Sequence, residues 1–205
     1  MVAWLDSAAL VVAGVPVTWA EILGDLAGAA CVALVARQHI LNWPLGLLNN
    51  VFWAWLFFRA KLYGDSSLQG FFFVLGVYGW YRWVQKGDRG ETLPVRRTRP
   101  HEWKWLAVAV IVSTALLSVF LSHATDSPAP LADASVLTLS LAATWGQAEK
   151  LLESWWLWIL VDVISVPLYV SRALYPTAAL YVVFGALCVV GLRAWRADLG
   201  AEMAA

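Results

Sequence analysis

Charge is what this sequence has least of. Of its 205 residues only 14% are charged, 14 basic against 14 acidic, where soluble domains carry roughly a quarter. An ordinary water-exposed domain is therefore excluded. No long basic run and no net charge are present, which removes the electrostatic purchase that nucleic acid requires. Cysteine is nearly absent: Cys31 and Cys188 both lie in apolar stretches and read as small buried hydrophobes, not as a disulfide or metal site. His39, His101 and His123 fall at the ends of apolar stretches, too scattered for a metal triad. The only lysines are Lys61, Lys86, Lys104 and Lys150, so the last apolar stretch offers no amine for a retinal Schiff base. A Gly-x-Ser-x-Gly elbow and a His-Glu-x-x-His helix are also missing, and the reading is of a non-enzyme without cofactor or metal.

What the chain does have is apolar length and aromatic rings. Fourteen Trp and six Tyr favour membrane interfaces and pockets for flat ligands. Crossing about 30 Å of hydrocarbon takes roughly 17 to 25 helical residues, and seven stretches meet that need: 19–38, 41–59, 66–85, 103–122, 131–148, 153–172 and 174–195. Met1 to Pro16 begins without Lys or Arg and is broken from the first span by Pro16, so it reads as a surface or interfacial segment, not a secretory signal. Seven spans put the termini on opposite sides. Placing the 82–104 connection in the cytoplasm gathers eleven basic residues there (Arg37, Arg82, Lys86, Arg89, Arg96, Arg97, Arg99, Lys104, Lys150, Arg193, Arg196) and leaves Arg59, Lys61 and Arg172 outside. The positive-inside rule then puts the N-terminus outside and the C-terminus in the cytoplasm.

Sliding the chain by 112 residues brings Trp43 onto Trp155, Leu62-Tyr63 onto Leu174-Tyr175, Leu68 onto Leu180, Gly79 onto Gly191 and Trp83 onto Trp195, with Asn50 falling on Asp162. This reads as an internal repeat of three spans. The expected organisation is a surface segment 1–18, a three-helix repeat 19–85, a cytoplasmic loop and linker helix 86–130, a second repeat 131–196 and a tail 197–205. One unpaired connecting span restores the direction of the second copy, so the fold class is an all-α membrane protein of two parallel three-helix repeats. Transporters built this way bind substrate near mid-membrane between the repeats.

Asp in mid-bilayer costs on the order of +2.5 to +3.5 kcal/mol on an insertion scale, so Asp162, near the centre of its span, demands a reason. At helical spacing it shares a face with Trp155, Trp158, Ser165 and Tyr169. The repeat-related face carries Trp43, Gly46, Asn50, Trp53 and Phe57. Two aromatic stripes, each broken by one polar group at the same depth, describe a slot for a flat polar ring; the competing reading is a cross-helix hydrogen bond between Asn50 and Asp162 among core aromatics. Asn49 adjoins Asn50, and Gln69 shares a face with Phe73, Gly76 and Trp80. These amides donate and accept, as sugar hydroxyls or a carboxamide require. Tyr181 of the last span completes the candidate binding set. Glu21 and Asp25 read as wet, Arg59, Lys61 and Arg172 as an outer rim, and Glu149, Lys150 and Glu153 as a solvated inner turn.

The run Asn42-Trp43-Pro44-Leu45-Gly46-Leu47-Leu48-Asn49, then Leu62-Tyr63, Leu68-Gln69, Phe71-Phe72-Phe73 and Tyr78-Gly79-Trp80-Tyr81-Arg82-Trp83, resembles the PnuC family of bacterial vitamin transporters. Glu153-Ser154-Trp155, Trp158, the 161–166 segment and Leu174-Tyr175 agree with it, and the likeness covers about residues 19 to 195. The resemblance implies a three-plus-one-plus-three architecture like the SWEET sugar transporters, a homotrimer in the bacterial inner membrane, and facilitated diffusion made one-way by cytoplasmic phosphorylation. Asn49 and Gln69 match its nicotinamide riboside branch; Asp162 and Gly76 depart from it, standing where some riboside carriers have Asn. Thiamine and riboflavin branches are the alternatives. Nicotinamide riboside and thiamine contain cationic rings that a carboxylate or a Trp face stabilises, whereas riboflavin is neutral. An ion-coupled carrier using Asp162 as a proton or cation site, or a purely structural membrane protein, stays open at this point.

Overall fold

The turns of this chain are set by a few residues that accept a left-handed backbone. Gln38, Lys61, Lys150 and Ala173 have φ of 52°, 61°, 50° and 58°, and each stands just past a helix end, where that conformation reverses the chain. A computed structural model describes residues 4–5, 7–12, 14–59, 61, 63–85 and 93–204, and its helices are α1 (Trp19–Ala36), α2 (Asn42–Arg59), α3 (Tyr63–Val84), α4 (Pro100–Ala124), α5 (Pro130–Ala148), α6 (Ser154–Ser171) and α7 (Tyr175–Ala204). Every expected span falls on one of them. α4 and α5 begin with Pro at the first helical position, where the missing N–H costs nothing. α7 runs past the expected end of its span through the region read as a tail, because Ala, Leu, Arg and Glu continue a helix readily outside the membrane.

α1, α4, α6 and α7 are long and apolar enough to cross a membrane. α2, α3 and α5 are diluted by Asn42, Asn49 and Asn50, by Asp65, Gln69 and Arg82, and by Thr138, Ser140, Thr144 and Gln147. Much of that polarity is turned inward, with Asn42, Thr138, Ser140 and Gln147 all buried. The surface read as an interfacial segment contains two strands, β1 (Ala8–Val12) and β2 (Val15–Thr18), paired antiparallel about Gly14 at φ 83°. The hairpin leads straight into α1, where Thr18 and Glu21 form a reciprocal cap: Thr18 Oγ1 accepts from Glu21 N at 3.2 Å, and Glu21 Oε2 accepts from Thr18 N at 2.7 Å.

α1 packs on α2, α2 on α3, α3 on α5, α5 on α6, α6 on α7 and α7 on α1. Those six form a closed ring. α4 packs on α5 outside it and buries none of its residues. A shift of 112 residues carries α2 onto α6 at both ends and starts α3 where α7 starts. Side chains follow the same shift. Trp43 meets Trp83 edge to face with centroids 5.4 Å apart at 87°, and Trp155 meets Trp195 at 5.4 Å and 87°. Trp83 Nε1 donates to the Gln147 carbonyl and Trp195 Nε1 to the Val35 carbonyl, both at 3.1 Å. A β-carbon at Gly79 would collide with the Trp43 ring, and one at Gly191 with the Trp155 ring. Only glycine lets these rings seat.

The four tryptophans close one end of the ring of helices, opposite the β-hairpin. Across that end runs a strap, residues 93–99. Arg96 N donates to the Lys150 carbonyl at 3.0 Å, Leu152 N donates to the Arg96 carbonyl at 2.9 Å, and Val95 is buried in the tryptophan core. Glu149 anchors the strap end: Arg82 donates to it twice, at 2.8 and 2.7 Å, Tyr78 Oη donates once more, and Arg96 lies 3.9 Å away. Lys150 donates to Gln38 Oε1 at 2.8 Å and sits 4.7 Å from the centre of the Trp83 ring. Glu149 and Lys150 are thus buried, a correction to the reading of a solvated turn: the strap and the tryptophans exclude water from it, and each charge has partners. Burial opposes ionisation of Glu149, yet its hydrogen bonds from Arg82 and Tyr78 and the charges of Arg82 and Arg96 outweigh it and hold the carboxyl below its ordinary range.

Glu149→Gln is expected to destabilise the folded chain by about 1 kcal/mol, because one acceptor oxygen remains and both arginines reach water. A carboxyl depressed by folding stabilises above its unfolded pKa and loses that effect as pH falls through the folded value. The gap in unfolding midpoint between wild type and variant in detergent should therefore be full at neutral pH and close below the ordinary carboxylate range. A gap independent of pH would contradict the charge-based account.

Candidate functional site

Between the tryptophans and the hairpin the six-helix ring encloses a cavity of about 620 Å³, within the range of small-molecule sites. Pro16 and Val17 of the hairpin contribute its roof; Trp43, Trp155 and Gln147 line its other end. Of the eleven candidates, Asn49, Asn50, Trp53, Gln69, Trp155, Trp158, Asp162, Tyr169 and Tyr181 line it together. Ser165 is fully buried but lies behind the wall, and Trp80 points outward on α3, 40% exposed. At the level of Trp80 the inward position belongs to Gly79, which receives the Trp43 ring; the neighbouring side chain is turned away.

The cavity wall is short of hydrogen-bond partners. Nε1 of Trp43, Trp155 and Trp158 and Oδ2 of Asp162 are all buried and unpaired among the described residues. The amides of Asn49, Asn50 and Gln69 make no side-chain hydrogen bond among the described residues, so the bond between Asn50 and Asp162 that the competing reading required is not formed. Asp162 sits against Gly185 and beside the Cys188 thiol of α7. Buried polar atoms are nearly always paired in native proteins. The wall thus presents three orphaned indole donors, one carboxylate oxygen and three part-exposed amides to whatever occupies the cavity. Rings supply the remaining surface: Trp53 stacks on Phe57 at 5.4 Å and 28°, and Tyr169 lies tilted against Tyr181 at 5.1 Å and 38°.

Two acidic residues belong to this wall that the sequence alone did not mark. Glu21 and Asp25, read as wet, both line the cavity, because the hairpin folds over the start of α1 and makes its first turns interior. Cys31 and Cys188 are free thiols on the same wall. With Asp162, these two carboxylates are the charged groups of the lining, and no Lys or Arg is among the lining residues. His, Cys, Asp and Glu form no metal-binding group among the described residues.

The profile of the family described as nicotinamide mononucleotide transporter matches residues 18–197. The chain belongs to this family of membrane transporters. It is 29% identical to the nicotinamide riboside transporter PnuC of Escherichia coli, with 89% of this chain and 87% of that one covered. It is 28% identical to the riboflavin/roseoflavin transporter RibM of Streptomyces davaonensis, over 94% and 91%. The crystal structure of the vitamin B3 transporter PnuC has the same fold, with a TM-score of 0.70 over 89% of this chain and 82% of that one at 22% identity. The family likeness read from the Trp-Pro, Leu-Gln and Tyr-Gly-Trp-Tyr segments is thereby established.

Proposed function

We propose that this chain carries nicotinamide riboside across a bacterial inner membrane by facilitated diffusion, with cytoplasmic phosphorylation preventing its return. The observation that carries the reading is the wall of the cavity inside the six-helix ring, where orphaned indole donors, an unpaired Asp162 oxygen and amides surround a slot lined by paired aromatic rings. A pyridinium ring suits the Trp faces and the carboxylate; the carboxamide and ribose hydroxyls suit Asn49, Asn50, Gln69 and the indoles. In this reading the helix triples α1–α3 and α5–α7 are parallel repeats of a SWEET-like three-plus-one-plus-three transporter, α4 is the linker, and three copies form the working assembly. The hairpin end faces outward and the strap end, with Arg82, Arg96, Arg97 and Arg99, faces the cytoplasm. The repeat-related tryptophan pairs and the position of α4 outside the ring support this organisation.

Titration of the purified chain with nicotinamide riboside, thiamine and riboflavin, read by Trp fluorescence, tests the substrate. Saturable quenching by the riboside at the lowest concentration supports the proposal. Riboflavin binding tightest would instead favour the reading suggested by the relative from Streptomyces. Uptake into kinase-free vesicles should equilibrate and not accumulate; accumulation driven by an imposed proton or sodium gradient would replace facilitated diffusion with ion coupling.

A further inference from the structure

Asp25 is a carboxylate without a cation. It is half-buried, lines the same cavity as Asp162, and has no hydrogen bond or ion pair among the described residues. Its near neighbour in charge is Glu21, whose Oε2 already accepts from the Thr18 N–H and hydroxyl at 2.7 and 2.9 Å. Glu21 is committed to holding the start of α1; Asp25 is not. The residue before it, Gly24, is buried against the Trp53 ring, which a β-carbon there would strike. That contact places Trp53, stacked on Phe57, at the level of Asp25, about two helical turns from the hairpin. Asp162 lies at the middle of α6, and its Oδ2 is buried and unpaired in the same wall. The cavity therefore carries carboxylates at two depths, each beside aromatic rings, and its described lining residues include no basic side chain to neutralise either.

The geometry points to Asp25 as a specificity-determining residue that selects for a singly cationic heteroaromatic substrate, meeting the ring on the Trp53–Phe57 stack before it reaches Asp162. The inference rests on the transport reading above and narrows it to charge. In a wall of low dielectric, a carboxylate attracts a cation and offers nothing comparable to a neutral ring of the same shape. A structural role for Asp25 would affect both alike.

Oxidised nicotinamide riboside has a cationic pyridinium, and its reduced dihydropyridine form is neutral and nearly isosteric. Calorimetric titration of the full chain in detergent with each form separates charge from shape. Wild type should bind the cation at least tenfold more tightly than the neutral form. Asp25→Asn should weaken the cation about fivefold and leave the neutral form unchanged, and Asp25→Glu should restore most of the preference. Equal affinity of wild type for the two forms, or an Asp25→Asn variant that weakens both or neither, would overturn the assignment. Thiamine and riboflavin distinguish this from failure of the riboside reading. If wild type binds thiamine but not the riboside, and Asp25→Asn weakens thiamine about fivefold, the charge selection stands and the riboside does not. A wild-type chain that prefers riboflavin, or that binds neither cation, overturns the charge selection itself.

Discussion

Asp162→Asn should lower affinity for the oxidised riboside by roughly 10- to 100-fold while leaving the empty protein as stable as before or slightly more so. A hydrogen bond involving a charged group contributes about 1.5–3 kcal/mol, which sets the range. The stability half of the expectation comes from the orphaned Oδ2, buried against α7 with nothing to accept from. Replacing a buried carboxylate that has one oxygen unpaired by an isosteric amide, which keeps an oxygen for the Cys188 thiol, removes a desolvation penalty, so the ligand-free unfolding midpoint should not fall. Ligand stabilises a folded protein in proportion to the logarithm of its concentration over Kd. The midpoint shift at a fixed riboside concentration should therefore shrink in the variant while its ligand-free midpoint holds. A lower ligand-free midpoint with unchanged affinity would make Asp162 a structural residue of the α6–α7 contact.

Much of this molecule is written in a pattern that repetition makes readable. Trp43, Gly79 and Trp83 recur as Trp155, Gly191 and Trp195, and a residue that recurs with its glycine socket is detectable even in a background of Leu and Val. The same pairing directed attention to Asn50 and Asp162, both of which line the cavity. Legibility stopped where a role depends on chain that is remote or folds back locally. Glu149 is held by Arg82 and Tyr78, 67 and 71 residues away, and no spacing rule joins them. Asp25 sits where a span begins, a position that water ordinarily reaches; only the hairpin over it makes it interior. Trp80 stays outside the cavity for a third reason: it keeps nearly the direction of Gln69 on a helix turning about 100° per residue, but at its level the side of α3 that receives the Trp43 ring is that of Gly79, and Trp80 is 40% exposed.

Nicotinamide mononucleotide should be carried at least about a hundredfold less efficiently than the riboside, although the family description bears its name. The two differ by a phosphate, which brings about two negative charges at neutral pH and oxygens that need strong donors. Proteins bind such groups with Arg, Lys or a helix N-terminus. The lining residues of the cavity include no Arg or Lys; their charged members are Glu21, Asp25 and Asp162. Among described residues near the strap, Arg82 is bound to Glu149, Arg96 to Glu102 and Lys150 to Gln38, all engaged in holding that end closed. The first turn of α1 offers no anion site either, because Glu21 caps it. A phosphate in the slot would leave water for a wall whose charges are three carboxylates and whose donors, indole N–H and amide groups, are all neutral, at a cost of several kcal/mol. Competition against labelled riboside uptake, with the mononucleotide in hundredfold excess and phosphatase excluded, measures the ratio. Equal inhibition by the two compounds would show that a phosphate finds a donor in this cavity, and would remove the charge argument for trapping by phosphorylation along with it.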